Sequence, residues 1–392
     1  MTHQSLNLSV HLLSQCRVLI VDDSKTNRSI LKKFCKSAGF LCIQEACDGQ
    51  EALDKILENK PDIVFLDMYM PHLNGIEVCV SLQRLNQINN MVIMMQSSVD
   101  DPEFKAQAFN SGVTDFVNKP LHEREVMSRA LAHLERLFLH RQMEVNYDRI
   151  QAELKEASLI QNVLLPQNSF LESIRKKNKL DIACHYRSAS ELAGDYISVR
   201  ELNDHQIALL SVDVAGHGVS AALYAFCVHT LLDDKRMSCE SPGRILEMLN
   251  QQFLLLMSRG KFLTLFLGVI DTHEKTLSYA SAAAPPPLLI AKEKPTFLPS
   301  AGFLLGVKEG VSYDTHQINF APEDVLCLYS DALIETPNAK GHFMKEEEIS
   351  KILIQSQQDD AHEQIEQLSA HFYRHYSSTP QDDLSLLICR YL

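Results

Sequence analysis

The stretch PDIVFLDMYMPHLNGIEV, residues 61–78, contains a short apolar run, Ile63 to Leu66, that ends directly at an aspartate, Asp67. An apolar run of this length is typical of a buried β-strand. Outward from it, helix-like segments separate this run from four others of the same kind, residues 18–21, 41–45, 91–95 and 113–117. Strands that alternate with helices at this spacing predict an α/β domain built on a doubly wound sheet of five parallel strands.

Polar residues follow the ends of these predicted strands: Asp22, Asp23, Asp67, Ser97 and Lys119. Because ligands bind at the carboxyl ends of strands in such sheets, we expect these side chains to share one pocket. Three carboxylates there would repel each other, and a Mg²⁺ ion would relieve the repulsion. A single aspartate at a strand end commonly only caps a turn. The whole set instead predicts phosphoryl transfer, with Asp67 as nucleophile, Lys119 as a fixed positive charge and Ser97 as a hydroxyl donor.

The sequence after Leu165 predicts a different content of secondary structure, with many short strands and few helices. A basic, polar segment, residues 173–179, precedes the first of them. The predicted strands are residues 181–186, 196–201, 206–212, 263–271, 276–281, 287–290, 324–329 and 384–389, and the predicted helices are 219–233, 241–258 and 345–376. Runs of strands with grouped helices predict an α+β domain, with two packed sheets and helices outside.

A second group of aspartates lies at strand ends and turns of this part: Asp195, Asp213, Asp331, Asp382 and Asp383. Their motifs contain no matching Arg or Lys and offer only oxygen ligands, so Mg²⁺ or Mn²⁺ fits better than Zn²⁺. Two such ions can clamp a phosphate and generate hydroxide for in-line attack. Each aspartate alone could cap a turn. His217 is open to two interpretations, an acid beside the phosphate or a positioning residue.

Residues 123–165 join the two parts. Apolar side chains recur there at helical spacing, which indicates a coiled-coil-like seam with a phase break near Val145 and with Arg141 and Asp148 at seam positions. The run is either a rigid spacer or a helix packed on its own domain, or it is a dimerising helix that carries a signal. The predicted segments are an N-terminal tail (1–15), a first domain (16–137), a helical linker (138–166) and a second domain (167–392).

Composition restricts the function further. The 392 residues suffice for two domains and a linker, and 45% apolar content suits packed cores. The formal charge of −13 disfavours nucleic acid and anionic membrane as main partners. We expect no signal peptide and no membrane-spanning segment. The ten cysteines form no CxxC pair, which predicts reduced thiols in a cytoplasmic protein.

Residues 17–136 resemble the receiver domain of two-component response regulators. The resemblance rests on the acidic pair, on LDMYMP and LNG around Asp67, on Ser97 and on Lys119–Pro120. It implies that Asp67 is phosphorylated by a sensor histidine kinase and that Asp22, Asp23 and Asp67 hold Mg²⁺. It also implies that Lys119 bridges to the phosphoryl group, that Ser97 is the switch hydroxyl, that Phe116 is the switch aromatic and that the Lys119–Pro120 bond is cis.

Residues 156–392 resemble PPM-type serine/threonine phosphatases, in the branch that regulates sigma factors by partner switching. The segments that carry this are IQNVLLP (160–166), ELAGDYISV (191–199), SVDVAGHGVSAAL (211–223), AAAPPPLLI (282–290), LLGV (304–307), LYSDALIE (328–335) and DDLSLLI (382–388). The resemblance implies two ions, Mn²⁺ or Mg²⁺, on the following ligands: Asp195, Asp213, the Val214 backbone carbonyl, Asp331, Asp382 and, as a weaker candidate, Asp383. The chain departs from the family pattern at Ala193, Ser198 and Ala332, which bears on metal number and turnover.

Together the two resemblances predict a response regulator whose phosphorylation at Asp67 controls a metal-dependent protein phosphatase. The substrate they imply is a phosphorylated STAS-type anti-sigma-factor antagonist, and the linker helix would form a homodimer. The alternative is a non-catalytic adaptor, in which a degenerate phosphatase domain binds a sigma factor or an anti-sigma partner.

Overall fold

A computed structural model describes residues 10–87, 90–98, 102–232, 240–258, 260–356, 360–377 and 381–392. The chain divides into two compact units, Met1–Ile150 and Gln151–Leu392. Among the helices within these ranges, none is long and apolar enough to cross a membrane.

The first unit alternates strands and helices. Its elements are α1 (Val10–Gln15), β1 (Arg17–Val21), α2 (Lys25–Ser37), β2 (Cys42–Ala46), α3 (Gly49–Asn59), β3 (Ile63–Asp67), α4 (Gly75–Arg84), β4 (Val92–Ser97), α5 (Pro102–Asn110), β5 (Asp115–Asn118) and α6 (Glu123–Val163), whose last residues belong to the second unit. The strands form one parallel sheet in the order β2-β1-β3-β4-β5, which confirms the predicted fold.

Alternate residues of the strands point to opposite faces of this sheet, so each face has its own core. Val18 and Ile20 pack on one side with α2 and α6, whereas Leu19 and Val21 pack on the other with α3 and α4. Two local differences from the prediction have a clear cause. Leu13 of α1 is buried in the first core, so part of the expected tail is helical. The fifth strand begins at Asp115, because the Val113 N–H closes the end of α5 by donating to the Ala108 carbonyl.

The predicted central helix exists as α6, which is a single helix of 41 residues. Its first turns pack in the core of the first unit, where Met127 and Leu134 are buried. Arg141 also belongs to this unit, since its guanidinium contacts Asp62 Oδ1 at 2.6 Å. Arg141, which the sequence places on the coiled-coil seam, therefore forms an ion pair within its own chain. Large apolar side chains are exposed farther along the helix, from Leu139 onward, as at Val145.

The second unit contains two five-stranded sheets. Its elements are α7 (Asn168–Asn178), β6 (Leu180–Arg187), β7 (Tyr196–Glu201), β8 (Gln206–Val214), α8 (Val219–Leu232), α9 (Pro242–Leu256), β9 (Leu263–Asp271), β10 (Thr276–Ala282), β11 (Leu288–Ala291), β12 (Lys294–Phe297), β13 (His316–Asn319), β14 (Val325–Tyr329), α10 (Ala332–Glu335), α11 (Glu346–Gln355), α12 (Ala361–His375) and β15 (Leu384–Tyr391). The strand orders are β13-β10-β9-β8-β7 and β12-β11-β14-β15-β6, and all pairs are antiparallel.

The two sheets pack face to face with helices outside, as the α+β prediction requires. Leu209 of one sheet and Leu326 of the other lie in the same buried cluster between them. On the outer faces, α8 and α9 cover the first sheet, and α11 and α12 cover the second. This sandwich brings the carboxyl and amino ends of four strands to one edge.

Some second-unit elements differ from the prediction. The basic segment 173–179 is the end of α7, which buries Leu171 and Ile174 one turn apart. The predicted helix 345–376 is two helices, α11 and α12, and Asp360 caps the second by accepting from the Glu363 N–H. The short strands β12 and β13 were not predicted, because edge strands bury one side at most and lack a strong apolar pattern. Asp233, at the end of the predicted helix 219–233, lies outside the described residues.

Candidate functional site

Three carboxylates meet at the carboxyl edge of the parallel sheet. Val21 pairs with Leu66 in register, so Asp22 and Asp67 follow at neighbouring strand ends. Asp22, Asp23 and Asp67 each offer a carboxylate oxygen within 4.8 Å of the others. Asp22 and Asp67 are buried, whereas Asp23 is exposed. This all-oxygen set, open to solvent on one side, fits a Mg²⁺ ion that keeps some of its water ligands.

Lys119 lies against the same carboxylates. Its Nζ contacts Asp67 Oδ1 at 2.8 Å and Asp22 Oδ2 at 3.1 Å. Burial alone would lower the pKa of Lys119, but the hydrogen bonds to Asp67 and Asp22 outweigh it and raise the pKa. Burial raises the pKa of Asp67, Lys119 opposes this shift and the charge of Asp22 adds to it. The Lys119–Pro120 bond is cis, as the resemblance implies. The lysine thus stays charged and partly neutralises an acidic pocket.

Ser97 and Phe116 lie on the two strands that complete this edge. Ser97 is buried at the end of β4, and its Oγ is 3.6 Å from the Met68 sulfur, next to Asp67 in sequence. Phe116 on β5 is buried as well, in an edge-to-face contact with Phe109 of α5 at 5.1 Å between ring centroids. All receiver-type residues predicted from the sequence therefore lie on one edge of the sheet or directly behind it.

Strand pairing also explains how the second unit gathers its aspartates. Tyr196 pairs with Val212, so Asp195 before β7 lies next to Asp213 near the end of β8. In the other sheet Tyr329 pairs with Leu386, so Asp331 after β14 approaches the Asp382–Asp383 pair before β15. The two pairs of strand ends lie at one edge of the sandwich.

The electrostatics of these aspartates reflect their proximity. Burial, followed by the charge of Asp213, raises the pKa of Asp195 far above its ordinary value, although Ser385 Oγ donates to Asp195 Oδ2 at 2.6 Å. Burial and the charge of Asp331 raise the pKa of Asp213 to about 7. Burial and Asp382 raise that of Asp331 to about 6. A divalent cation would remove this repulsion, so the donor set fits Mg²⁺ or Mn²⁺.

Asp382 and Asp383 point to different surroundings. Asp382 is exposed and lines a cavity of about 290 Å³ together with Asp331 and Glu335. Asp383 is buried, and its carboxylate accepts from three backbone N–H groups, those of Ala189 at 2.9 Å, Gly194 at 2.7 Å and Asp195 at 3.4 Å. Asp383 therefore holds the loop that carries Asp195, and Asp382 is the member of the pair that faces the acidic cavity.

The remaining predicted positions are more loosely placed. A side chain at Gly194 would lie 3.0 Å from the Val214 carbonyl oxygen, so that oxygen faces the Asp195 loop. His217 is exposed. Among the described residues, only Asp22, Asp23 and Asp67 bring three ligand atoms within 4.8 Å of one another. The second-unit aspartates form a wider acidic edge, without that degree of convergence.

Three residues at this edge were not predicted from the sequence: Gln161, Lys261 and Glu335. Gln161 of α6 bonds the Ala193 backbone twice: its Nε2 donates to the carbonyl at 2.8 Å, and its Oε1 accepts from the N–H at 3.2 Å. Lys261 Nζ donates to the Ala215 carbonyl at 3.0 Å, beside Val214. Glu335 lies among the acidic residues. Only Glu335 had a local signal, since it lies one helical turn after Asp331.

Comparisons with known proteins find one family in each half of the chain. The response regulator receiver domain family matches residues 18–131, and the Stage II sporulation protein E (SpoIIE) family matches residues 203–392. The chemotaxis protein CheY of Thermotoga maritima is 36% identical over 111 residues, which cover 28% of this chain and 91% of CheY. Response regulator MprA of Mycobacterium sp. (strain KMS) is 34% identical over 120 residues, 31% of this chain and 51% of MprA, so the chain spans about half of that protein.

Solved structures also resemble this chain over roughly two thirds of its length. The SiaA-PP2C domain of Pseudomonas aeruginosa matches with a TM-score of 0.57 and 21% identity, over 63% of this chain and 99% of that one. The PP2C phosphatase domain with a regulatory fragment of SpoIIE from Bacillus subtilis matches with a TM-score of 0.50 and 14% identity, over 68% and 96%. At these identities the likeness concerns the fold. The chain belongs to the response regulator family, with a receiver domain joined to a phosphatase domain of the SpoIIE/PP2C type.

Proposed function

We propose that phosphorylation of Asp67 controls a metal-dependent protein serine/threonine phosphatase in the same chain. The observation that carries this proposal is the pairing of two acidic sites. Asp67 lies with Asp22, Asp23 and Lys119 in one unit, and aspartates with raised pKa values lie at one edge of the other. The first has the groups needed to accept a phosphoryl group, and the second has those needed to remove one with water.

In the receiver pocket, a sensor histidine kinase would supply the phosphoryl group. Lys119 Nζ and the Met68 N–H both contact Asp67 Oδ1 at 2.8 Å, so we assign Oδ2 as the attacking oxygen. The new bond joins this oxygen to phosphorus as the bond from phosphorus to the kinase histidine breaks. Mg²⁺ held by Asp22, Asp23 and Asp67 would neutralise charge on the phosphoryl oxygens. Lys119 would follow the group as a second positive contact.

Ser97 and Phe116 would change position when Asp67 is phosphorylated. A phosphoryl group adds about two negative charges at Asp67, and Ser97 Oγ can exchange its weak contact with the Met68 sulfur for a phosphoryl oxygen. The space behind Ser97 would then admit the Phe116 ring, which now rests against Phe109. The surface next to β5 and the start of α6 would change as a result.

In the phosphatase domain, we assign Asp195, Asp213, the Val214 carbonyl, Asp331 and Asp382 as metal ligands. Bound Mn²⁺ or Mg²⁺ would polarise the phosphate and lower the pKa of an attacking water. Asp383 would keep the Asp195 loop in place through its three backbone contacts. Gln161 would support the same loop from α6. Movement of α6 would thus reach a metal ligand through two hydrogen bonds.

We assign the substrate class and the dimer from the resemblance to the partner-switching branch. The substrate would be a phosphoserine or phosphothreonine on a STAS-type anti-sigma-factor antagonist. Exposed apolar side chains of α6, among them Met143, Val145 and Ile150, would form the homodimer contact. The alternative is a non-catalytic adaptor. The observation in its favour is that the phosphatase aspartates do not bring three ligand atoms within 4.8 Å in the described residues.

The test measures hydrolysis of p-nitrophenyl phosphate by the full chain with Mn²⁺ or Mg²⁺, with and without beryllofluoride as a mimic of phosphorylated Asp67. We expect hydrolysis that Asp213→Ala abolishes and a beryllofluoride effect that Asp67→Asn abolishes. Asp54→Asn, an exposed site on α3, is the control. Mass in solution is measured in the same samples. Absence of hydrolysis with every metal, together with retained binding of a sigma factor or an anti-sigma factor, would establish the adaptor instead.

A further inference from the structure

Two residues beside the start of β9 hold the end of β8. Val214 is the last residue of β8, and its register partner on β9 is Leu263. The Ala215 N–H donates to the Phe262 carbonyl at 2.9 Å. Lys261, directly before Phe262, donates from its Nζ to the Ala215 carbonyl at 3.0 Å. Both polar backbone groups of Ala215 are therefore held from the same side.

These contacts fix the direction of the Val214 carbonyl. The Val214 oxygen and the Ala215 N–H belong to one planar trans peptide unit, so they point in opposite directions. Since the N–H points toward Phe262, the oxygen points away from β9 and toward the Asp195 loop. It lies 3.0 Å from the place that a Cβ on Gly194 would occupy. Lys261 holds the next peptide unit, between Ala215 and Gly216.

We propose that Lys261 is a positioning residue of the phosphatase, which holds residues 214–216 so that the Val214 carbonyl oxygen is directed at the metal. This inference rests on the proposed function, in which that oxygen is a metal ligand. Without the Lys261 contact, the peptide unit after Ala215 would be free to rotate, and the preceding carbonyl would lose its fixed direction. Residues that orient metal ligands in this way typically contribute about ten- to a hundredfold to metal affinity.

Gly216 allows the lysine to lie in this place. Its φ is +98°, in the left-handed region that favours glycine. A Cβ on Gly216 would lie 2.5 Å from Lys261 Nζ, which leaves no room for a side chain. On the other side, the Gly216 carbonyl oxygen lies 3.1 Å from the Cβ position of Gly194. The loop is thus enclosed between the lysine and the Asp195 loop, so a change at Lys261 reaches the backbone of the candidate metal site.

The charge of Lys261 separates this role from a purely electrostatic one. An ammonium group repels a nearby metal ion, so its removal would strengthen metal binding if only charge mattered. If Lys261 positions a ligand, its removal weakens metal binding, although a like charge is lost. Lys261→Met removes both the donor and the charge, whereas Lys261→Arg keeps both.

The experiment measures Mn²⁺ binding by electron paramagnetic resonance in the full chain, with Asp23→Asn and Asp67→Asn present to remove the receiver site. We expect the Mn²⁺ dissociation constant to rise at least about tenfold in Lys261→Met and to stay within about threefold of the parent in Lys261→Arg. Lys294→Met, at an exposed lysine of β12, is the matched control for the loss of one positive charge. Its Mn²⁺ affinity should equal that of the parent.

Melting curves of the metal-free variants verify that each is folded. Lys261→Gln, whose donor nitrogen ends one atom short of the lysine nitrogen, is measured in parallel and should resemble Lys261→Met. Hydrolysis of p-nitrophenyl phosphate gives a second readout. At saturating Mn²⁺, both variants should recover most of the parental kcat with an unchanged KM, because excess metal restores the occupied site by mass action.

Equal or tighter Mn²⁺ binding in Lys261→Met and Lys261→Gln would overturn the positioning role. A raised KM at saturating Mn²⁺, with parental Mn²⁺ affinity, would also overturn it and would assign Lys261 to the substrate phosphate. Absence of Mn²⁺ binding in the parent would overturn the proposed function together with this inference. The two failures are therefore distinguished by the parent chain alone.

Discussion

Gln161 and Ala193 are joined by two hydrogen bonds of opposite direction. The side-chain amide of Gln161 donates to the Ala193 carbonyl and accepts from the Ala193 N–H. Gly194 and Asp195 follow directly. Because Asp383 accepts from the N–H groups of these next two residues, the loop is supported from two sides. The last turns of α6 thus contact the loop that carries Asp195, a candidate metal ligand.

Replacing Gln161 tests this contact. We expect Gln161→Ala to reduce metal-dependent hydrolysis severalfold, while the free energy of unfolding falls by only about 1–2 kcal/mol, the contribution of two neutral hydrogen bonds. Gln161→Glu keeps the acceptor and loses the donor, so its activity should be intermediate. Asn162→Ala changes the neighbouring exposed amide and serves as control. Unchanged activity in Gln161→Ala would show that the contact is only structural.

The phase of α6 after Arg141 provides a second test. Insertion of two residues after Gln142 rotates the following helix by about 200°, whereas insertion of seven leaves it within about 20° of two full turns. If α6 transmits the receiver state as a rigid helix, the first insertion should abolish the beryllofluoride effect on hydrolysis and the second should retain most of it. An equal response in both variants would mean that the helix is only a tether.

The Asp382–Asp383 pair should separate into a metal ligand and a loop support. Asp382→Asn should lower the apparent affinity for Mn²⁺ in hydrolysis assays about tenfold or more, with no loss of stability in the metal-free protein. Asp383→Ala removes the acceptor of three backbone N–H groups and should lower the free energy of unfolding by about 3 kcal/mol in urea titrations. The reverse pattern would exchange the two roles.

His185 makes the stability of the phosphatase domain depend on pH. Burial and the positive charge of Arg187 lower the pKa of His185 below 6.5, and its Nε2 lies 2.8 Å from the Tyr373 hydroxyl. As pH falls below 6.5, the unfolded chain takes up a proton at this residue that the folded chain does not, so folding stability decreases.

His185→Gln should therefore lose less stability than the parent chain as the pH is lowered from about 7.5 to about 5.5. Melting curves of the metal-free proteins across this range test the difference, which isolates His185 from the carboxylates that titrate in both. His273→Gln, at an exposed turn histidine, should follow the parent. A parallel pH dependence of His185→Gln and the parent would contradict the assignment.

Much of this architecture is encoded locally. The runs at residues 18–21, 41–45, 63–66, 91–95 and 113–117 predicted the five parallel strands within one or two residues. The signal was strongest for β1, β3 and β4, because buried strands read as continuous apolar segments. The long central helix was also predicted from its local pattern, since apolar side chains recur at helical spacing on both sides of the phase break near Val145. The short edge strands and α7 were missed, because their stability depends on neighbours that are distant in sequence.

By itself, the sequence determined which residues carry chemistry: acidic groups at strand ends, a lysine after the fifth strand and a helix between the two domains. Tertiary structure alone decided their roles relative to one another. It turned Asp383 toward backbone N–H groups and left Asp382 at the cavity, paired Arg141 with Asp62, and brought Gln161 to Ala193. Sequence periodicity reports which face of an element is buried, whereas hydrogen bonds between distant segments depend on how those faces pack.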